Sequence, residues 1–112
     1  MGIMSFLKGP DINAGIKEFK ETKGAVLIDV RDPGEFSKGH VPGAVNMPLS
    51  VLDARSSEIS NKSTPIYVYC LAGGRAGQGA SILKSKGFTN VKNIGGIKSY
   101  KGPVEKSKGR SF

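Results

Sequence analysis

The residues best suited to chemistry stand together in Cys70-Leu71-Ala72-Gly73-Gly74-Arg75-Ala76, which holds the only cysteine of the chain. Adjacent glycines let the backbone enter positive φ, so that successive N–H groups can turn toward one point. N–H groups that converge at a helix N-terminus form an anion cradle. With Cys70 at the bottom of that cradle and Arg75 at its rim, the thiolate is the expected form, and thiolate is the form that attacks sulfur. The plain alternative is a small buried hydrophobe at a strand end, the usual role of a free cysteine. The strand, glycine loop, arginine and helix in succession favour the reactive reading.

The neighbouring segments supply the required scaffold. Pro65-Ile66-Tyr67-Val68-Tyr69 is a β-branched and aromatic run behind a proline, which predicts a buried strand leading into Cys70. Ala76 to Lys86 carries Ala76, Ala80, Ile82 and Leu83 without proline and predicts a helix that stops at Gly87. Upstream, Asn13 is placed to cap a helix from Ala14 to Thr22 with Ile16 and Phe19 on its buried side. Ala25-Val26-Leu27-Ile28-Asp29-Val30 is nearly all apolar, as in a parallel strand covered on both faces. Asp29, at its end, is expected to be a buried acceptor rather than a catalytic carboxylate, and Arg31 with Glu35 an ion pair bracketing a turn.

Further on, His40 lies in the turn-rich Gly39-His40-Val41-Pro42-Gly43 with no Asn or Asp placed to orient it, so a structural role is expected. A short strand over Ala44 to Met47, a helix from Leu49 to Ser57 and a polar loop to Thr64 follow. Asn90 to Ile94 is the last strand, Gly95-Gly96 a turn, and Ile97 to Tyr100 a helical turn. Strands alternating with helices predict an α/β, three-layer sandwich: a small, mostly parallel sheet flanked by helices on both faces, with ligands at the carboxyl ends of the strands.

Bulk properties narrow the function. At 112 residues the chain forms one domain with a modest core. One cysteine excludes an internal disulfide or a cysteine-rich metal site, and it suits a reducing, cytoplasmic setting. Nothing in the sequence calls for a cofactor or metal, and no run is apolar enough to enter a membrane as a span. Met1 to Leu7 lacks the basic start and cleavage site of a secretory signal, and Phe6 stands where myristoylation wants Ser or Thr. The net charge of +8 is concentrated late, from Lys84 to Arg110. Without an aromatic platform or a recognised nucleic-acid motif it reads as a solvated basic face whose field attracts small anions, not as a nucleic-acid surface.

Several segments, in order, resemble the rhodanese family. The Cys70-to-Ala76 stretch is similar to its active-site loop. Leu27-Ile28-Asp29-Val30-Arg31 with Glu35-Phe36 resembles its first core strand and turn. Gly39-His40-Val41-Pro42-Gly43-Ala44-Val45-Asn46 with Pro48 resembles its second signature, and Gly87-Phe88 through Gly95-Gly96 its closing strand. The resemblance divides the chain into an N-terminal arm over residues 1–10, a rhodanese-like domain over 11–102 and a basic tail over 103–112. It implies a structural role for Arg31 and Glu35. It also implies a sulfurtransferase in which Cys70 is the nucleophile and Leu71, Ala72, Gly73, Gly74 and Arg75 hold the substrate.

Loop length bears on the reaction. Four residues separate Cys70 from Arg75, whereas the cysteine phosphatases that share this fold place five there, widening the cradle for a tetrahedral phosphate. The tighter loop suits a lone sulfur. The expected reaction is a two-step transfer of sulfane sulfur, from thiosulfate or a persulfide to a thiol or cyanide, through a Cys70 persulfide. A sulfur-relay protein is a further possible partner. The other readings are a non-catalytic or carrier-type rhodanese module and a cysteine phosphatase or arsenate reductase. Leu71 and Ala72 leave Arg75 as the loop's only cation, which disfavours the thiosulfate dianion. Ile97 stands where the family commonly has tryptophan, read as a packing change.

Overall fold

The computed structural model describes residues 9–106. The expected arm over residues 1–10 and tail over 103–112 therefore lie mostly outside the described residues. What is described of the tail is engaged: His40 and Glu105 exchange backbone hydrogen bonds of 2.9 Å in an antiparallel bridge.

Among the described residues four parallel strands form one sheet in the order β2-β1-β3-β4, with β1 Val26–Asp29, β2 Val45–Asn46, β3 Ile66–Cys70 and β4 Val91–Gly96. Helix α1 Ile12–Glu21 precedes β1, and three more among the described residues connect the strands: α2 Pro33–Lys38, α3 Leu49–Arg55 and α4 Gly74–Ser85. Short 3₁₀ turns follow α3 at Ser56–Glu58 and β4 at Ile97–Ser99. Every residue of β3 is buried because both faces of the sheet are covered. One core packs Ile28, Val68, Leu52, Ala80 and Leu83 beneath α3 and α4. The other packs Ile12, Ile16, Leu27, Tyr67, Tyr69 and Ile94 beneath α1. Successive residues of β3 alternate between these cores, so Tyr69 faces one and Cys70 the other.

The structure departs from the sequence expectations at several points. Asp11, not Asn13, caps α1 by accepting the N–H of Asn13 at 3.0 Å. The Asn13 side chain instead donates to Ser99 O and accepts from Lys101 N–H, tying the helix start to the chain after β4. The expected turn after Arg31 is helix α2, because Asp32 and Glu35 form a capping box and Pro33 opens the helix. Gly95 and Gly96 are not a turn. They extend β4 past a bulge that shifts its register against Val68 and Tyr69. The expected Arg31–Glu35 pair is absent, since each finds a different partner. Arg31 chelates the fully buried Asp29, with Nε at 3.0 Å from Oδ1 and Nη2 at 2.8 Å from Oδ2, and donates to Gly39 O at 2.7 Å. Two residues apart on one strand end, Asp29 and Arg31 satisfy each other where the longer reach to Glu35 is not needed. Glu35 turns toward the loop after β3.

His40 is also structural in its contacts. Its ring stacks on Phe36 at 3.8 Å, Nδ1 lies 2.9 Å from Phe36 O and Nε2 lies 3.5 Å from a Glu105 carboxylate oxygen. Tyr69 anchors the segment that follows it: its buried hydroxyl accepts the Val41 N–H at 3.0 Å. Tyr69→Phe is expected to cost about 1–3 kcal/mol in urea unfolding, the penalty for leaving a buried donor unpaired.

Candidate active site

The topology puts two loops at the same place. β1 has β2 on one side and β3 on the other, so the chain leaves the carboxyl ends of β1 and β3 at a switch point, where α/β sheets bind ligands. The loop after β1 carries α2 and Glu35. The loop after β3 carries residues 71–73 and opens α4.

Cys70 ends β3 and is only 1% exposed. Its Sγ accepts the N–H of Gly73 at 2.9 Å and of Ala76 at 3.3 Å. The first bond requires the sharp reversal that Gly73 makes at φ 111°, a backbone state unfavourable to residues with a Cβ. The second comes from the first turn of α4, where N–H groups have no helical partner and carry the positive end of the helix dipole. The thiol sulfur is therefore gripped by two backbone donors beneath the loop. Leu71, Ala72 and Gly74 are exposed above it, with Leu71 at 44%.

Of the five loop residues expected from sequence, Gly73 donates to Cys70 Sγ, while the other four stand in the loop and at the start of α4 and do not act alike. Only Gly73 has positive φ; Gly74 instead starts the helix. Arg75 leans away from a purely loop-facing role, because its Nη1 and Nη2 pair with Glu35 Oε1 and Oε2 at 2.8 and 3.0 Å. That bidentate pair, then the N–H of Asp32, hold the Glu35 carboxyl down to about 2, against partial burial which opposes them. A depressed carboxyl contributes stability that is present above its unfolded value, near 4.5, and is lost as pH falls through about 2. Glu35→Gln is thus expected to flatten the loss of stability between those two pH values, a difference readable in urea melts at pH 5 and near pH 2.

Three contributors were not legible in the sequence. Ala76 supplies a donor to sulfur although its side chain signals only packing. Asn93 braces the loop from β4, donating to Gly73 O at 3.4 Å while its Oδ1 accepts Gly95 N–H at 2.9 Å. Gly96 lies against the loop so closely that a Cβ there would fall on Leu71 O, and that same oxygen accepts Lys98 N–H at 3.1 Å. The Gly95-Gly96 pair was the available signal, since a paired glycine beside a catalytic loop often marks close backbone approach.

Beside the loop, between α1 and the end of β4, lies an open cavity of about 750 Å³ whose walls include Pro10, Ile12, Ala72, Gly73, Asn93 and Lys98. Cys70 does not line it. It adjoins the loop's flank, not the sulfur.

A family model described as a Rhodanese-like domain matches residues 14–102. The chain belongs to the rhodanese-like family. It is similar to the thiosulfate sulfurtransferase PspE of Escherichia coli K12, with 40% identity over 80 residues, covering 70% of this chain and 77% of that protein. It is also similar to the uncharacterized protein YqhL of Bacillus subtilis, 39% identical over 107 residues, covering 95% of this chain and 79% of that one. Among solved structures, a rhodanese from E. coli determined with anions superposes with a TM-score of 0.68 at 38% identity, covering 73% of this chain and 98% of that one. The Alr3790 protein of Anabaena superposes with a TM-score of 0.76 at 32% identity, covering 84% and 79%. The rhodanese-like fold expected from the sequence is the fold observed, and no helix among the described residues is long and apolar enough to cross a membrane.

Proposed function

We propose that this rhodanese-like chain is a sulfurtransferase that carries sulfane sulfur on Cys70. One observation supports this above the others: Sγ sits at the end of β3 under a short loop, with N–H groups of Gly73 and Ala76 directed at it. Donors so placed can hold a transferred sulfur at the end of β3. The similarity to a protein named thiosulfate sulfurtransferase fits the same chemistry.

The reaction balances without an external oxidant. The Cys70 thiolate attacks the outer sulfur of thiosulfate or of a persulfide. An S–S bond forms to Sγ as the donor's S–S bond breaks, and sulfite or thiolate leaves with the bonding pair. The terminal sulfur anion of the Cys70 persulfide then lies among Leu71, Ala72, Gly73, Gly74 and Arg75, stabilised by backbone N–H groups as an oxyanion would be. A thiolate or cyanide acceptor attacks that outer sulfur and returns Cys70 as thiolate. With one cysteine in the chain, no internal disulfide can form, so the acceptor comes from outside. Free thiol chemistry of this kind belongs in a reducing compartment such as the cytoplasm.

The test is intact mass after incubation with thiosulfate and, separately, with glutathione persulfide. The expected result is a gain of one sulfur atom that disappears on adding cyanide or excess thiol. Absence of that gain with both donors would remove the reading. Hydrolysis of a phosphate ester instead would favour phosphatase chemistry, which the short loop argues against.

A further inference from the structure

Arg75 is the only cation of the loop, and a carboxylate holds it. The grip is bidentate, at 2.8 and 3.0 Å. The gripping group is itself fixed, because Glu35 Oε1 also accepts the Asp32 N–H at 3.1 Å within the capping box that starts α2. The carboxylate cannot swing aside without unmaking a helix start.

The charges on α2 and on the loop do not restore what Glu35 removes, and Lys98 lies to the side, in the cavity on the loop's flank. Asp32 adds a second negative charge that Arg75 senses. Arg31, whose charge also reaches Glu35, is spent on Asp29 and Gly39 O. Leu71 and Ala72, exposed at the rim, carry none.

We propose that Glu35 is a specificity-determining residue that, by occupying Arg75, lowers the preference of the site for doubly charged sulfur donors relative to singly charged ones. Backbone N–H groups are left to bind the sulfur, and they do so for either kind of donor. The carboxylate acts only through the charge of the rest of the donor. Coulomb energy scales with that charge, so a dianion feels Glu35 twice as strongly as a monoanion at the same place. This inference rests on the sulfur-transfer reading above.

The probes are thiosulfate and methanethiosulfonate, two sulfane donors that differ by one charge and lose sulfite and methanesulfinate respectively. Glu35→Gln keeps an oxygen for the Asp32 N–H and removes the charge. It is expected to lower KM for thiosulfate on the order of tenfold and for methanethiosulfonate about threefold, the square-root relation that charge demands. kcat is expected to move less than about twofold, because the N–H groups that face the reacting sulfur are untouched. The gain is expected to shrink between low and high salt as the exposed charges are screened. Glu35→Asp, with the charge retained on a shorter stem, is expected to keep the wild-type ratio of the two KM values.

An unchanged ratio in Glu35→Gln would overturn the inference. So would equal losses with both donors, which mark a residue that only supports the fold; thermal melts of both variants register that case directly. Wild-type protein that takes sulfur from neither of these two donors would overturn the inference; failure with glutathione persulfide as well would overturn the sulfur-transfer reading itself.

Discussion

Cys70→Ala is expected to take up no sulfur from any donor, with turnover lowered roughly 10⁴-fold or more, as for other nucleophile deletions. The chain has no second thiol to substitute. Cys70→Ser is expected to be equally inactive although it restores an acceptor for the Gly73 and Ala76 N–H groups, because a serine hydroxyl stays protonated where a thiolate is needed. The two variants differ in stability instead. Cys70 packs in the core beneath α4, so alanine leaves a small void and two N–H groups without their acceptor, at a cost of about 1–3 kcal/mol. Serine keeps the acceptor and loses less. Intact mass and urea unfolding on the same samples separate the two effects. An alanine variant that still gained sulfur would mean that the carrier atom is elsewhere, and the cradle around Sγ would then be only a way of packing a cysteine.

What could be read in the sequence follows the range of the interactions involved. β3 and α4 were legible because their signals are local: a β-branched run, then small and apolar residues without proline, with a glycine at the bend. Cys70 as the centre was legible for the same reason. The identity of its donors was not. That Ala76 rather than Gly74 reaches Sγ depends on where the first turn of α4 begins, and helix ends are set to within a residue or two by caps and packing. Charge pairing was misread for a related reason. Arg31 and Glu35 are near in sequence, and proximity suggested a pair. In the fold Arg31 must neutralise Asp29, which has no exposure at all and is satisfied by Arg31. That leaves Glu35 for Arg75, forty positions away. Such a pairing depends on strand order, which no local pattern encodes. Asn13 and Asp11 show the same limit at smaller scale, since both can cap and only the chain after β4 decides that Asn13 is used elsewhere.

Gly96→Ala is expected to damage the site more than its distance in sequence from Cys70 suggests. Gly96 stands beside Cys70 in the parallel register of β3 and β4. Its φ of −134° is open to any residue, so the demand for glycine is one of space alone. A Cβ there would lie 2.0 Å from Leu71 O and 2.5 Å from Ala72 Cα. Both are backbone atoms, and neither can rotate out of the way. Leu71 O is moreover held by Lys98 N–H, so relief requires the whole loop to lift. Lifting it carries Gly73 N–H away from Sγ, the shorter of the two bonds that grip the sulfur. Misplacement on the order of an ångström costs about 10²-fold in catalysis, and that is the expected fall in the rate of sulfur loading. Overpacking against backbone is expected to cost about 2–4 kcal/mol in addition. Gly34→Ala is the matched control: it lies in α2 and a Cβ there meets nothing within 4 Å, so its loading rate is expected to be unchanged and its stability to rise by up to about 1 kcal/mol, the ordinary gain of alanine over glycine in a helix. Single-turnover loading followed by mass, together with urea melts, decides the matter. Normal loading in Gly96→Ala would show that the loop tolerates displacement, and that the seat of the sulfur owes little to the strand behind it.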